Sequence, residues 1–353
     1  MRTYLITGGC GFIGSNFIHY LFENELAGRV INLDKMTYAG NKENLNFIDK
    51  QFNYSFIKGD ICDQEVVAEI LQKYNPDIIV HFAAESHVDR SIDGPAEFIQ
   101  TNVVGTLNLL HESNQWLKNL KNDLKSNFRF IHISTDEVYG SLGNKGKFTE
   151  RTPYDPSSPY SASKASSDHL ARSWYKTYDF PVIITNCSNN YGPYQFTEKL
   201  IPLMIINALT GKELPVYGKG LNVRDWLYVR DHCEAIQTIA DIGQLGETYN
   251  IGGNNEITNI QIVNTICEIL TNERPLEDGK SYHEQIIFVP DRPGHDFRYA
   301  IDASKIEAEL NWKPQESFET GIKKTILWYL KNQDWWRNIN RNKYQQQRLG
   351  LKE

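Results

Sequence analysis

Between Tyr4 and Thr185 the chain repeats one unit, a short apolar run followed by a longer amphipathic stretch. The runs are Tyr4-Leu5-Ile6-Thr7, Val30-Ile31-Asn32-Leu33-Asp34, Ser55-Phe56-Ile57, Asp77 to Phe82, Phe130 to Ser134 and Val182 to Thr185. Each is continuous rather than alternating, so each has two faces to hide from water. Strands of that kind belong inside a parallel sheet covered on both sides. The stretches near 12–26, 64–74, 97–120 and 160–178 have the spacing of the covering helices. This rhythm predicts an α/β, doubly wound domain over residues 1–190.

After Asn190 the rhythm breaks down. Pro193, Pro202 and Pro215, with Gly211, Gly218 and Gly220, punctuate shorter elements. Glu247 to Gly253 and Gln285 to Val289 read as strands outside the regular series. Residues 191–330 are expected to form a smaller, irregular substrate-binding domain, interleaved with the first and closing over its strand ends. Residues 331–353 turn polar after Trp335 and Trp336 and read as an exposed tail.

Bulk properties narrow the class. With 353 residues, 40% hydrophobic and 23% charged, the chain reads as an ordinary soluble globular protein. A net charge of -7 argues against a nucleic-acid surface while leaving room for a local basic pocket. No apolar run reaches membrane-spanning length, and the first strand starts too early for a signal peptide. Cys10, Cys62, Cys187, Cys233 and Cys267 are scattered and read as small buried hydrophobes in a reducing compartment, expected to be the cytoplasm.

Gly8-Gly9-Cys10-Gly11-Phe12-Ile13-Gly14 follows the first strand and opens the first helix. Gly8 allows a tight turn, Gly11 lets a pyrophosphate come close, and Gly14 lets helix pack on strand. The helix N-terminus then faces the phosphates. The spacing, Gly-x-x-Gly-x-x-Gly, departs from the commoner Gly-x-Gly-x-x-Gly, so its setting must carry the argument. Asp34 ends the second strand twenty residues beyond Gly14, where a carboxylate can bind ribose hydroxyls and repel a 2'-phosphate. That favours NAD over NADP, although the adjacent Lys35 weakens the preference. Asp60 and Ile61 can frame the adenine, and Phe82-Ala83-Ala84 is small enough to pass close to a cofactor. The site has the marks of a Rossmann-type dinucleotide fold.

Tyr160 and Lys164 lie four apart on a predicted helix and therefore share a face. A neighbouring ammonium and a nicotinamide's positive charge would favour the tyrosine's phenolate, making it a base for a sugar hydroxyl. Ser134-Thr135-Asp136-Glu137 ends the fifth strand, where open α/β sheets place their ligand crevice. Redox chemistry alone has little use for two adjacent carboxylates. Removing water from a sugar needs an acid and a base, and burial with mutual repulsion can hold one carboxyl protonated while the other ionises. Spacing does not say which carboxylate plays which part.

These motifs, with Ala83-Ala84-Glu85-Ser86-His87-Val88-Asp89-Arg90-Ser91, Asn189-Asn190-Tyr191-Gly192-Pro193, Arg224-Asp225-Trp226 and Asp291-Arg292-Pro293-Gly294-His295-Asp296, resemble the nucleotide-sugar dehydratases of the extended short-chain dehydrogenase/reductase family over residues 1 to 330. The glycine and Tyr/Lys motifs are shared with related epimerases, and Thr135-Asp136-Glu137 separates the dehydratases. The resemblance implies an NAD-dependent lyase acting on dTDP-glucose, in deoxysugar biosynthesis. By it, Tyr160, assisted by Thr135 and Lys164, deprotonates the C4 hydroxyl, Glu137 is the C5 base, and Asp136 protonates the departing C6 hydroxyl. It adds Phe12, Ile13, Thr37, Ser86, Thr101 and Asn190 to the cofactor site. The substrate cleft it implies is lined by Ser86, Asn189, Leu200, Pro215, Val216, Tyr217, Asn259, Asp291 and Tyr299, and relatives dimerise through a helical interface.

For the two phosphates of such a substrate, Arg224 and Arg292 are candidate planar cations, with Lys199 and His295 as further ones. His81, His87, His132, His232 and His295 lack a recognisable ligand spacing, so no metal is expected. Three rivals remain. A 4-epimerase would leave Asp136 and Glu137 without elimination roles, a decarboxylase would need a C6 carboxylate on its substrate, and a non-catalytic nucleotide-binding protein would make Tyr160, Lys164 and both carboxylates incidental. UDP-glucose is a further possible substrate.

Overall fold

The computed structural model describes residues 1–291 and 295–342, without the side chains of 122–124 and 342. Its strands in chain order are β1 (Arg2–Thr7), β2 (Ala27–Asp34), β3 (Tyr54–Lys58), β4 (Ile78–His81), β5 (Arg129–Thr135) and β6 (Val182–Cys187). They continue as β7 (Asn189–Tyr191), β8 (Leu214–Tyr217), β9 (Val223–Tyr228), β10 (Thr248–Ile251), β11 (Glu256–Thr258) and β12 (Ile286–Val289). The main sheet is seven-stranded and parallel, in the order β10-β6-β5-β4-β1-β2-β3. Its central strands are buried along their length, as continuous apolar runs require.

Strand order reverses between β1 and β4, which pair with Thr7 opposite His81. Crossovers leave to opposite sides there, so a crevice opens beyond the carboxyl ends of these two strands. Helices cover both faces: Phe12–Glu23 and Val229–Ile242 on one, Gln64–Tyr74, Thr106–Lys118 and Pro159–Tyr178 on the other. Helix Pro159–Tyr178 starts at a capping box, Ser158 with Ser161, has Pro159 in its first turn, and stops where Asp179 turns left-handed at φ 53°. Upstream of Thr106–Lys118 the chain passes through Pro95–Phe98 and a π-helical stretch, Ile99–Gly105.

Two expectations need correction. The run Glu247 to Gly253 does not lie outside the regular series, because β10 pairs in parallel with β6 and extends the main sheet. It is only four residues long and is separated from β6 in sequence by all of β7 to β9, so no local rhythm announces it. The tail expected from residue 331 is helical as far as it is described. Helix Gln333–Asn342 buries Trp335, Trp336 and Ile339 in the second core, with Trp335 against Tyr329 and Trp328, since its apolar side chains recur on one face. Residues 343–353 lie outside the described residues.

The second half builds its own core. Ile201, Met204 and Ile205 pack with Ile262, Ile266, Leu270 and Trp226, and helix Phe318–Lys331 adds Ile322, Ile326 and Tyr329. This half carries two small sheets, β11-β9-β7 and β12-β8. β7 follows β6 after a single residue, Ser188, which ties the two layers at the crevice.

Candidate active site

The crevice is a cleft of about 300 Å3. Its floor is the glycine turn. Gly8 has φ +71° and lies so near the residues following β4 that a Cβ would sit 2.7 Å from the Ala83 nitrogen. A Cβ on Gly14 would come within 2.4 Å of the Gly8 carbonyl oxygen, so that glycine sets the approach of helix to strand. Gly11 caps the helix without a side chain, leaving its amide end toward the cleft for an anion. Phe12, Ile13, Thr37, Ile61, Phe82, Ala84, Ser86 and Thr101 also line this cleft.

Asp34 stands at the end of β2 and is held from below: its carboxylate accepts from the amides of Cys10 at 2.9 Å and Met36 at 2.7 Å. Lys35 pairs with Asp60 at 2.9 Å, so it is neutralised locally instead of being presented to a phosphate. Asp60 also accepts from the Cys62 amide at 2.9 Å. The donor set fits a dinucleotide: a tight glycine cradle, an open helix N-terminus and an oriented carboxylate at the strand end. The buried ring of His232 bonds Asn190 at 2.9 Å, fixing the amide where β7 meets the cleft.

The reacting centre lies deeper in the same cleft. β5 ends at Thr135, whose hydroxyl accepts from the Glu137 amide at 3.3 Å and caps the 3-10 turn Asp136–Tyr139. That turn sends adjacent carboxylates into different surroundings. Asp136 is 1% exposed, and one of its oxygens has no hydrogen-bond partner among the described residues. Burial holds its carboxyl well above the usual range, the charges of Glu137 and Asp225 push the same way, and Arg224 opposes them. Glu137 is more open and also lines the cleft.

Tyr160 and Lys164 face this turn from helix Pro159–Tyr178. Lys164 is buried and donates to the Ile133 carbonyl at 2.8 Å. The expected phenolate is not what the protein side chains alone favour. Burial raises the Tyr160 phenol well above its ordinary value and Glu137 adds to the rise, while a hydrogen bond with Thr135 pulls the other way. Burial also pushes Lys164 down. In the protein alone, desolvation outweighs the Thr135 hydrogen bond.

The residues expected at the substrate's nucleotide end are spread over several places. Arg224 on β9 lies 4.2 Å above the Tyr299 ring and donates to the Asp296 carbonyl at 2.9 Å. His295 bonds Asp291 at 2.6 Å and meets Tyr217 edge to face at 6.2 Å. Asn259 opens a helix with its amide on the Asn222 carbonyl at 3.1 Å. Lys199 reaches the Ser86 carbonyl at 3.1 Å and lines the main cleft with Asn189. Leu200 packs against the second core, and Pro215 pairs with Ile287 between β8 and β12. Val216 needs correction as a lining side chain: it is 2% exposed and belongs to the core with Leu214 and Ile262. Arg292 lies outside the described residues.

Sequence reading missed a charged cluster on the cleft wall. Glu198 is buried against Arg90 at 3.1 Å, Arg90 covers the Tyr38 ring at 3.8 Å, and Glu85 is pushed up to about 7 by burial. The adjoining motifs were legible, but nothing local says that segments around 38, 85 and 198 meet. Among the described residues, no group of His, Cys, Asp and Glu stands close enough to hold a metal ion, and no helix is long and apolar enough to cross a membrane.

Fold and site together define an extended short-chain dehydrogenase/reductase carrying a dehydratase's paired carboxylates. A profile of the GDP-mannose 4,6 dehydratase family matches residues 5–325, and the chain belongs to that family. It is 56% identical over 350 residues to the dTDP-glucose 4,6-dehydratase of Xanthomonas campestris pv. campestris (strain B100), covering 99% of both chains. Among solved structures it resembles the dTDP-glucose 4,6-dehydratase of Bacillus anthracis str. Ames in complex with NAD: TM-score 0.85, 47% identity, 96% of this chain and 100% of that one. It also resembles the UDP-glucose 4-epimerase of Thermotoga maritima at TM-score 0.82 and 28% identity, covering 94% of this chain and 99% of that one. The fold is thus shared with a protein of another reaction type.

Proposed function

We propose that this chain is an NAD-dependent dTDP-glucose 4,6-dehydratase, converting dTDP-glucose to dTDP-4-keto-6-deoxyglucose and water. One observation carries the reading beyond likeness: Asp136, buried with an unpartnered oxygen, stands next to the more open Glu137 at the end of the strand facing Tyr160. Gly8, Gly11, Gly14 and Asp34 would hold the NAD, which when bound supplies a reversible hydride acceptor for C4 and, later, a donor for C6.

The side chains supply the proton chemistry. Tyr160 takes the C4 hydroxyl proton, with Thr135 hydrogen-bonded beside it and Lys164 providing positive charge beneath. Burial favours a protonated phenol before substrate arrives, so the proton leaves only when positive charge stands over the site. A C4 ketone makes the C5 proton acidic because the resulting carbanion delocalises onto the ketone oxygen. Glu137, the more accessible carboxylate, removes that proton. Asp136, which burial favours in its protonated form, donates to the departing C6 hydroxyl. Glu137 then returns a proton to C5.

At the nucleotide end, Arg224 provides charge for the diphosphate, with Tyr217 and Asn259 as further lining residues. Exposed Ile99, Val104 and Leu107, on the stretch leading into helix Thr106–Lys118, support a homodimer through a helical interface. Five scattered cysteines without a disulfide support a cytoplasmic setting.

The deciding assay combines product mass with the position of solvent deuterium, using dTDP-glucose and no added NAD. Loss of one water and deuterium at C5 is the expected outcome. Unchanged mass with inversion at C4 would establish an epimerase instead. Running UDP-glucose in parallel tests the nucleobase, with dTDP-glucose expected to be the better substrate.

A further inference from the structure

Beneath the reacting centre lies a buried polar cluster that the proton steps above do not use. Asp168 is one helical turn beyond Lys164 and is fully buried. One of its oxygens accepts from the Ser134 hydroxyl at 2.9 Å and the Tyr154 hydroxyl at 2.9 Å, with the Asn186 amide at 3.5 Å. Its other oxygen meets the His132 ring at 3.1 Å. Ser134 directly precedes Thr135, Asp136 and Glu137, and Asn186 also donates to the Thr135 carbonyl at 3.1 Å. One carboxylate therefore joins the helix bearing Tyr160 and Lys164 to the strand end bearing the other catalytic groups.

The charges around Lys164 leave Asp168 a second part. Tyr160 and Asp168 share the lysine's helix, and His81, His132 and Cys187 stand near it on β4, β5 and β6. Burial disfavours the charged form of both imidazoles and of the thiol. Arg172 lies beyond, over the far side of the Tyr154 ring. A buried ammonium bonded only to a carbonyl is costly unless a compensating charge stands near. Asp168 is the carboxylate that favours the charged form of Lys164.

We infer that Asp168 is a positioning residue of the reaction: a buried anion that balances the Lys164 ammonium and ties the end of β5 to the helix carrying Tyr160. The role rests on the reading of Tyr160 and Lys164 as the oxidising pair. It separates into a charge, which Asp168 alone supplies, and a tie, which Ser134 shares.

The test uses the NAD-loaded enzyme. Asp168→Asn keeps the size and one acceptor oxygen, turns the other oxygen into an amide donor, and removes the charge. Oxidation is followed in single turnover by reduced-nicotinamide absorbance from neutral to alkaline pH, and elimination by product mass. Without the carboxylate Lys164 loses its proton earlier, so the alkaline fall in oxidation rate is expected to move to lower pH by about one unit or more. Ser134→Ala removes only the tie, and is expected to lower the oxidation rate about tenfold with KM and the alkaline limb unchanged. Equal loss at every pH in Asp168→Asn, with the limb unmoved, would overturn the charge role and leave a merely structural residue. If Asp168→Asn does not fold, Ser134→Ala decides, and an unchanged oxidation rate there overturns the inference. A wild-type enzyme that oxidises a nucleotide hexose without releasing water would defeat the dehydratase reading alone, because the oxidation readout survives it.

Discussion

Most of the cofactor cleft lies within a few residues of a parallel strand's carboxyl end: Gly8 after β1, Asp34 at the end of β2, Asp60 after β3, Ala83 after β4, Thr135 at the end of β5. The region around Arg224, proposed to hold the nucleotide, is built otherwise. Arg224 comes from β9, Tyr217 from β8, and His295 and Tyr299 from a segment without regular structure, brought together by hydrogen bonds and ring contacts. In the first region backbone geometry places the groups. In the second, side chains place one another, so the two should fail differently when altered.

The largest expected effect is at the glycine cradle. Gly14→Val would drive side-chain carbon into the Gly8 carbonyl and the Gly9 backbone, which cannot give way without moving helix from strand. Bound nicotinamide recovered from the purified protein should fall to background, and turnover should drop at least about a hundredfold. If cofactor and activity persist, the cradle is softer than its contacts indicate.

Next come the paired carboxylates, where the two regions meet. Glu137→Gln should slow elimination by about 10²–10⁴-fold while leaving initial oxidation much faster than elimination, as read by accumulated reduced nicotinamide. Equal loss of both steps would contradict its role as the C5 base. Asp136→Asn should slow water loss comparably but raise the melting temperature at neutral and alkaline pH. The sign follows from the raised carboxyl: its folded-state value lies above the unfolded one, so the stability it contributes is lost as pH rises through the folded value. An uncharged amide escapes that loss.

Arg224→Lys should sharpen the comparison. It keeps the charge but removes the planar fork that bonds the Asp296 carbonyl and stacks on Tyr299. The KM for dTDP-glucose is expected to rise about tenfold with bound NAD unchanged. Loss of NAD from this variant would show that the two regions are mechanically coupled.

The smallest effect concerns His232, which supports Asn190 at the junction. Burial lowers its pKa from 6.5 to about 3. The unfolded chain therefore binds the proton more readily, and this histidine's contribution to stability, complete above pH 6.5, is lost as pH falls toward 3. Thermal melts of His232→Gln should show a shallower acid decline than wild type. An identical decline would assign the acid sensitivity to other buried groups, such as His81 and His132.

The contrast between the regions also explains what could be read before the fold was seen. The first six strands of the sheet were legible because burial on both faces leaves continuous apolar runs, and the cleft followed because parallel sheets bind at strand ends. β10 was legible as a strand but not as a member of that sheet, since four residues far along the chain carry no sign of the partner they pair with. Val216 was expected in the cleft only from the resemblance, and its side chain fills the core. The helix bearing Trp335 and Trp336 looked like a polar tail because most of its residues are polar, and only its packing partners reveal the buried face.

By itself the sequence determined the first six strands, the glycine cradle, the Tyr160–Lys164 pair and the presence of two carboxylates after Thr135. These depend on local spacing, and local spacing survives translation into strands and helices. Tertiary structure decided that Asp136 is the enclosed carboxyl and Glu137 the open one, that Lys35 is spent on Asp60, and that Asp168 sits beneath Lys164 bonded to Ser134. Burial and electrostatic environment are sums over neighbours from distant segments, so no stretch of chain carries them alone.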